Sequence, residues 1–171
     1  MNLNDWKLEG RVSIWRYDPL RKNFPGWHVT ATDDGYGSIL RLIKLLETSP
    51  FGSKRTFELV APDAWSASSE LKKVAEQKVV ISLVEPDSHW SLESIDGKLH
   101  VKLGLSSLSS LHNGILDARK GKYDFSIGVN QRPELVVLVR SSKESKKLQG
   151  QAWPLTLLLI QGFTPIVDYR Y

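Results

Sequence analysis

The amino-acid sequence predicts an α+β fold in which two main amphipathic helices pack on an antiparallel or mixed β-sheet. Several short segments alternate apolar and polar residues, as strands do, and two longer segments repeat apolar residues at helical spacing. A hydrophobic content of 41% is typical of folded proteins. Because 171 residues fall within the size range of one domain, we expect residues 1–171 to form a single globular unit.

The first half of the chain predicts two strands followed by a helix. Residues 11–17 and 27–31 have strand character, and the turn residues between them favour pairing of the two strands. Asp33 and Asp34 indicate the N-cap and acidic first turn of a helix, which Ser49-Pro50 ends. The apolar face of this helix consists of Ile39, Leu42, Ile43, Leu45 and Leu46. Arg41, Lys44 and Glu47 share its polar face.

The middle of the chain predicts two further strands and a hairpin. Residues 55–60 and 78–84 read as strands, with a short helix over 64–76 between them. Asp96-Gly97 favours a two-residue turn in which Ile95 pairs with Lys98. This register places one set of side chains toward the core: Trp90, Leu92, Leu99, Val101 and Leu103. The opposite face carries Ser91, Glu93, His100 and Lys102.

A second helix and two more strands are predicted after the hairpin. The helix follows Gly104 and ends at a C′ glycine, Gly121, with Leu108, Leu111, Ile115 and Ala118 on its apolar face. Residues 123–129 alternate strictly, and the aliphatic run 134–139 is typical of a central strand.

The C-terminal part of the sequence permits two interpretations. Residues 141–149 are polar and rich in lysine, which indicates a loop or connector. Residues 153–171 predict one or two strands interrupted by prolines, with a helix over 154–161 as the alternative.

Glycine spacing suggests an internal repeat. Gly35 and Gly52 stand 17 positions apart, as do Gly104 and Gly121, and each pair brackets one predicted helix. We interpret this as two β-β-α-β units that share one extended antiparallel or mixed sheet.

The sequence lacks the residues that most catalytic and cofactor-dependent reactions require. The chain has no cysteine, and its four histidines show no metal-binding spacing, so we predict no metal and no cofactor. Gly35-Tyr36-Gly37-Ser38 has the position of a phosphate loop, but Leu40 replaces the third glycine of a dinucleotide motif, and a turn with a helix start explains the segment better. No G-x-S-x-G motif is present. An enzyme of unrecognised class stays an alternative.

Charge and hydropathy limit the partners and the location. Lysines and arginines exceed acids by only +4, and they are scattered between acidic residues, so weak nucleic-acid binding is an alternative function. The apolar window 153–163 is too short to span a bilayer, and the first fifteen residues lack a signal-peptide pattern. We therefore expect a cytoplasmic protein with no membrane association; its oligomeric state stays open.

The first strand carries the candidate binding surface. Val12 and Ile14 form its apolar face, whereas Arg11, Trp15 and Tyr17 alternate onto the other face together with Ser13. Two interpretations of that second face remain, because it is either an exposed contact surface or a layer covered by other parts of the chain.

If the second face is exposed, the predicted binding residues are Arg11, Trp15, Tyr17, Arg21 and Trp65. Trp, Tyr and Arg are the side chains most often found as anchors in protein interfaces. The leading hypothesis is accordingly a non-enzymatic module that binds another protein, in the manner of a bacterial immunity or accessory protein.

Overall fold

The computed structural model describes residues 2–18, 26–62, 73–122, 125–127 and 135–137. The chain divides into two compact units, Met1–Arg140 and Ser141–Tyr171, and every described residue belongs to the first. These residues form nine strands and two helices. The strands are β1 (Val12–Tyr17), β2 (Trp27–Ala31), β3 (Lys54–Glu58), β4 (Lys73–Ala75), β5 (Lys78–Leu83), β6 (Trp90–Ile95), β7 (Lys98–Leu103), β8 (Phe125–Ile127) and β9 (Leu135–Val137). The helices are α1 (Asp33–Glu47) and α2 (Leu105–Arg119).

The strands form two sheets, which confirms the α+β class and corrects the expectation of one shared sheet. A five-stranded sheet has the order β4-β1-β2-β9-β8, and a four-stranded sheet has the order β3-β5-β7-β6. Both sheets are mixed, because β2 pairs with β9 and β5 pairs with β7 in parallel while the other pairs are antiparallel. A single sheet does not form because each helix connects the two sheets. The hairpin before the helix lies in one sheet, and the strand after the helix lies in the other.

Four strands of the five-stranded sheet repeat the arrangement of the other sheet, and β4 is an additional strand beside β1. Each contains a hairpin, β1–β2 or β6–β7, whose second strand pairs in parallel with β9 or β5. Beyond that strand comes an antiparallel neighbour, β8 or β3. Each sheet therefore combines the hairpin of one half of the chain with strands that follow the helix of the other half. The sequence repeat itself stays a prediction.

Helix α1 begins one residue earlier than its sequence signal. The N-cap is Thr32, whose Oγ1 accepts a hydrogen bond from the Gly35 N–H at 3.2 Å. Asp33 and Asp34 occupy the first turn, where negative charge is favourable, but they do not cap. The predicted N-cap is therefore wrong, because the threonine hydroxyl already satisfies the free N–H.

Helix α2 ends as predicted. Gly121 at C′ has a φ of 73°, and its N–H bonds to the Ala118 carbonyl at 2.9 Å. The Lys122 N–H bonds to the Asp117 carbonyl at 3.1 Å, which completes a Schellman motif.

The strands predicted over 11–17, 27–31, 55–60 and 78–84 hold within about two residues at each end, and the hairpin register is confirmed. Of the strands predicted over 123–129 and 134–139, β8 and β9 are the described parts, and the other residues lie outside the described ranges. Ile95 pairs with Lys98 and Glu93 with His100. The short helix predicted over 64–76 is wrong at its end, because Lys73–Ala75 forms β4 and pairs with β1. Residues 63–72 lie outside the described residues, as do both predictions for 141–171.

One hydrophobic core lies between the helices and one face of each sheet. Helix α1 contacts β2 and β5, and α2 contacts β7, β8 and β9, so each helix packs on both sheets. Fully buried members include Leu42 and Ile43 of α1, Leu108 of α2 and Leu99 of β7. Neither described helix is long and apolar enough to cross a membrane.

Candidate functional site

The aromatic residues of β1 are buried. Trp15 and Tyr17 lie on the face opposite Val12 and Ile14, as predicted, but they are only 1% and 7% exposed. Trp15 stacks on His28 with ring centroids 4.6 Å apart, and Tyr17 packs edge-on against Trp15 at 5.1 Å. Of the two interpretations, the covered layer describes these side chains. Strand β1 lies between β4 and β2, and the His28 ring of β2 packs against both Trp15 and Tyr17.

Of the remaining predicted binding residues, only Arg11 lies within the described ranges. Arg11 is exposed, and its backbone N–H donates to Thr32 Oγ1 at 2.9 Å, which places it beside the start of α1. Arg21 and Trp65 lie outside the described residues. A contact surface composed of the five predicted residues therefore stays a prediction.

A shallow, open groove lies between α1 and α2. Its volume is about 440 Å³. Its lining residues are Gly37, Leu40, Arg41, Lys44, Leu45, His112 and Arg119. Two leucines supply an apolar floor, and all four ionisable lining residues are basic. This composition suits a ligand that combines apolar and anionic groups.

The α1 side of the groove carries two basic side chains. Arg41 and Lys44 are three residues apart, so their side chains follow one another along one helix face. The Arg41 guanidinium lies 2.6 Å from Glu9 Oε2 and donates to Ser38 Oγ at 2.9 Å. Lys44 Nζ lies 3.3 Å from Glu47 Oε2. These contacts orient both cations along the groove.

The α2 side contributes His112 and Arg119, which lie two turns apart on one helix face. Arg119 donates two hydrogen bonds to the Asp33 carboxylate, both of 2.7 Å. The hydrogen bond from Arg119 holds the pKa of Asp33 below its usual value of 3.8, and Asp33 raises the pKa of Arg119. Gly37 of α1 lies beside the Arg119 guanidinium, where an added Cβ would make an ordinary contact of 3.4 Å with Nη1.

No acidic residue belongs to the groove lining, although each cation has an acidic neighbour outside it. Arg41 and Glu9 are 45% and 72% exposed, and Arg119 and Asp33 are similarly open to solvent. Exposed ion pairs contribute only about 0–1 kcal/mol each. A ligand carboxylate can therefore replace an internal one at small free-energy cost.

Sequence reasoning assigned Arg41 and Lys44 to the polar face of α1 but did not identify them as a site. The basic pair on one helix face was the available signal, and a solvated face explains such a pair equally well. The groove depends on the approach of α2, whose Arg119 is 86 residues from Asp33. Spacing along the chain carries no information about a contact of that range.

Other candidate chemistries find little support in the described residues. Gly35-Tyr36-Gly37-Ser38 lies inside α1 and is buried, so the segment is neither a phosphate loop nor the turn that the sequence predicted. Glu93 lies opposite His100 but pairs with Lys102 at 3.6 Å. No group of three or more potential metal ligands is found in this part of the chain. No protein-family model, curated protein or solved structure matches the sequence or the fold.

Proposed function

We propose that the chain is a non-enzymatic protein-binding module that binds an acidic segment of its partner in the α1–α2 groove. The observation that carries this proposal is the groove lining, in which two leucines and four basic side chains occur without a carboxylate. An immunity or accessory role, in which the protein acts by occupying a partner's surface, requires no chemistry beyond this contact.

The lining supports both affinity and selectivity. The half-buried Leu45 offers apolar area to a partner side chain, whereas Leu40 is only 8% exposed. Arginine is enriched at the energetic centres of interfaces. Complementary charge accelerates encounter and disfavours partners of the wrong sign. The favoured ligand is therefore a peptide segment in which aspartates or glutamates flank apolar residues.

The ion pairs around the groove favour replacement of the chain's own carboxylates by carboxylates of a partner. Glu9, Glu47 and Asp33 keep the cations in place before binding, so little side-chain order has to be gained in the complex. Glu9 and Asp33 are 72% and 68% exposed, so replacing either of their pairs by a partner carboxylate loses about 1 kcal/mol or less.

Fluorescence anisotropy with a labelled peptide of alternating glutamate and leucine tests the proposal. The Arg41→Glu, Lys44→Glu double variant should bind the peptide at least about tenfold more weakly, since each reversal replaces an attraction by a repulsion. The Lys54→Glu, Lys98→Glu double variant is the matched control, because it makes the same charge change at exposed positions on the four-stranded sheet.

Three outcomes would contradict the proposal. The first is absence of peptide binding by the wild type, and the second is equal weakening in both double variants, which would indicate attraction by net charge alone. The third is tighter binding of a single-stranded oligonucleotide than of the peptide, with an affinity that falls steeply with salt. That result would favour the nucleic-acid alternative.

A further inference from the structure

The α1–α2 groove lies between two antiparallel helices. Asp33 in the first turn of α1 bonds to Arg119 in the last turn of α2. At the other end, the Ser109 hydroxyl near the beginning of α2 donates to Glu47 Oε1 in the last turn of α1, at 3.5 Å. Because contacts occur at both ends, the helices lie side by side and the groove follows their axes. A partner segment that fills the groove is therefore elongated and runs along the helices.

The described walls of this groove present side chains to a ligand. All seven lining residues belong to α1 or α2, and the N–H and C=O groups of a helix bond along their own helix. An extended segment pairs its backbone groups with a strand edge, which walls made of helices do not supply. A helical segment already bonds its backbone internally, so it can bury one face in the groove without leaving backbone groups unpaired.

The cations at the two ends of the groove are about two helical turns apart. Arg119 lies beside Gly37, and Lys44 follows Gly37 by seven positions, or about 10.5 Å of helix rise. Carboxylates at positions i and i+7 of a partner helix have the same separation and share one face. Residues on one face of a strand are about 6.8 or 13.6 Å apart, so a strand matches this spacing less closely.

Resting on the proposed function, we infer that the partner's acidic segment binds as an amphipathic α-helix that lies along the groove. Two carboxylates seven positions apart bind Arg119 and Lys44, one at each end. Apolar residues at positions i+3 and i+4 lie between them and face the leucines of the lining, of which Leu45 is half-buried. Since all four ionisable lining residues are basic, the charge of this helix face complements the groove.

Fluorescence anisotropy with designed peptides tests the helical form. One peptide carries glutamates at i and i+7, leucines at i+3 and i+4, and alanine elsewhere. It should bind at least about tenfold more tightly than a peptide of the same composition whose glutamates are five positions apart, on different faces of a helix. Replacing an outward-facing alanine by proline should weaken binding by at least about tenfold, because proline breaks the helix without removing a contact.

The outcomes separate this inference from the proposed function. Equal affinities of the patterned peptide, its control and its proline variant would overturn the helical form. If the alternating glutamate–leucine peptide still required Arg41 and Lys44, the proposed function would stand without it. Absence of binding by every peptide would contradict both.

Double-mutant cycles test the contacts at the two ends. Each glutamate of the patterned peptide is replaced in turn by glutamine, and Arg119→Gln and Lys44→Gln remove the two cations. Each glutamine peptide should be insensitive to loss of the cation that its missing carboxylate faced, and should bind about threefold or more weakly when the other cation is lost. Losses that add in all four combinations would show that the carboxylates do not meet these cations, which would overturn the assigned spacing.

Discussion

At the scale of single residues, Asp33 and Arg119 connect the first turn of α1 with the last turn of α2. Two hydrogen bonds of 2.7 Å join them, and the contact also fixes one wall of the groove. Both ends of the pair have favourable positions, since a carboxylate stabilises a helix N-terminus and a guanidinium stabilises a C-terminus. Helix α2 also packs closely on β8, because a Cβ at Gly114 would collide with the Phe125 ring.

The pair predicts a small acid-sensitive contribution to stability. Because Arg119 lowers the pKa of Asp33 below 3.8, the contribution is complete above that pH and is lost as pH falls through the lowered pKa. Asp33→Asn should therefore reduce the free energy of unfolding near neutral pH, by at most about 1 kcal/mol for so exposed a pair, and have less effect in acid. Urea unfolding at a series of pH values measures the difference. A gap between the two proteins that widens in acid would contradict this account.

Residue patterns predicted the faces of β1 but not the cover over them. Alternation placed Trp15 and Tyr17 opposite Val12, and the structure confirms that division. Whether the second face is exposed depends on side chains from other elements, such as His28 of β2, whose ring stacks on Trp15. Local alternation contains no information about such a neighbour.

At the scale of elements, helix α1 depends on one threonine for its start. Thr32 Oγ1 accepts hydrogen bonds from the N–H groups of Gly35 and Arg11, at 3.2 and 2.9 Å. The hydroxyl thus joins the helix N-terminus to the beginning of the first strand.

Removing this hydroxyl should destabilise the protein. Thr32→Ala leaves two N–H groups without their acceptor, so we expect a loss of about 1–2 kcal/mol in the free energy of unfolding, measured by urea denaturation. Thr32→Ser retains the oxygen and should lose less than half as much. Equal losses in the two variants would show that the threonine methyl group, rather than the cap, is responsible.

Elements governed by short-range chemistry were predictable. Asp96-Gly97 formed the expected turn, with φ of 49° and 71°, because few residues adopt two consecutive positive values. The C′ glycine of α2 has the same kind of local cause. Strand β4 was missed because three residues have too little pattern to identify a strand, and their conformation depends on pairing with β1.

At the scale of the whole molecule, the helices connect two sheets that share a four-strand arrangement. Each helix follows a hairpin in one sheet, and the next strand lies in the other sheet. Apart from β4, the sequence predicted the order of strands and helices but not this exchange, since hydropathy identifies the buried face of a strand without identifying its neighbour. The groove could not be predicted either, because it exists only where α1 and α2 meet.

Chemical-shift mapping tests the central claim most directly, which is that the α1–α2 groove is the binding surface. The nitrogen-15-labelled protein would be titrated with the glutamate–leucine peptide. We expect the largest amide shifts at residues 37–45 and around His112 and Arg119, with little change on the outer face of the four-stranded sheet. Shifts concentrated on that sheet, or spread evenly over basic residues throughout the chain, would contradict the claim.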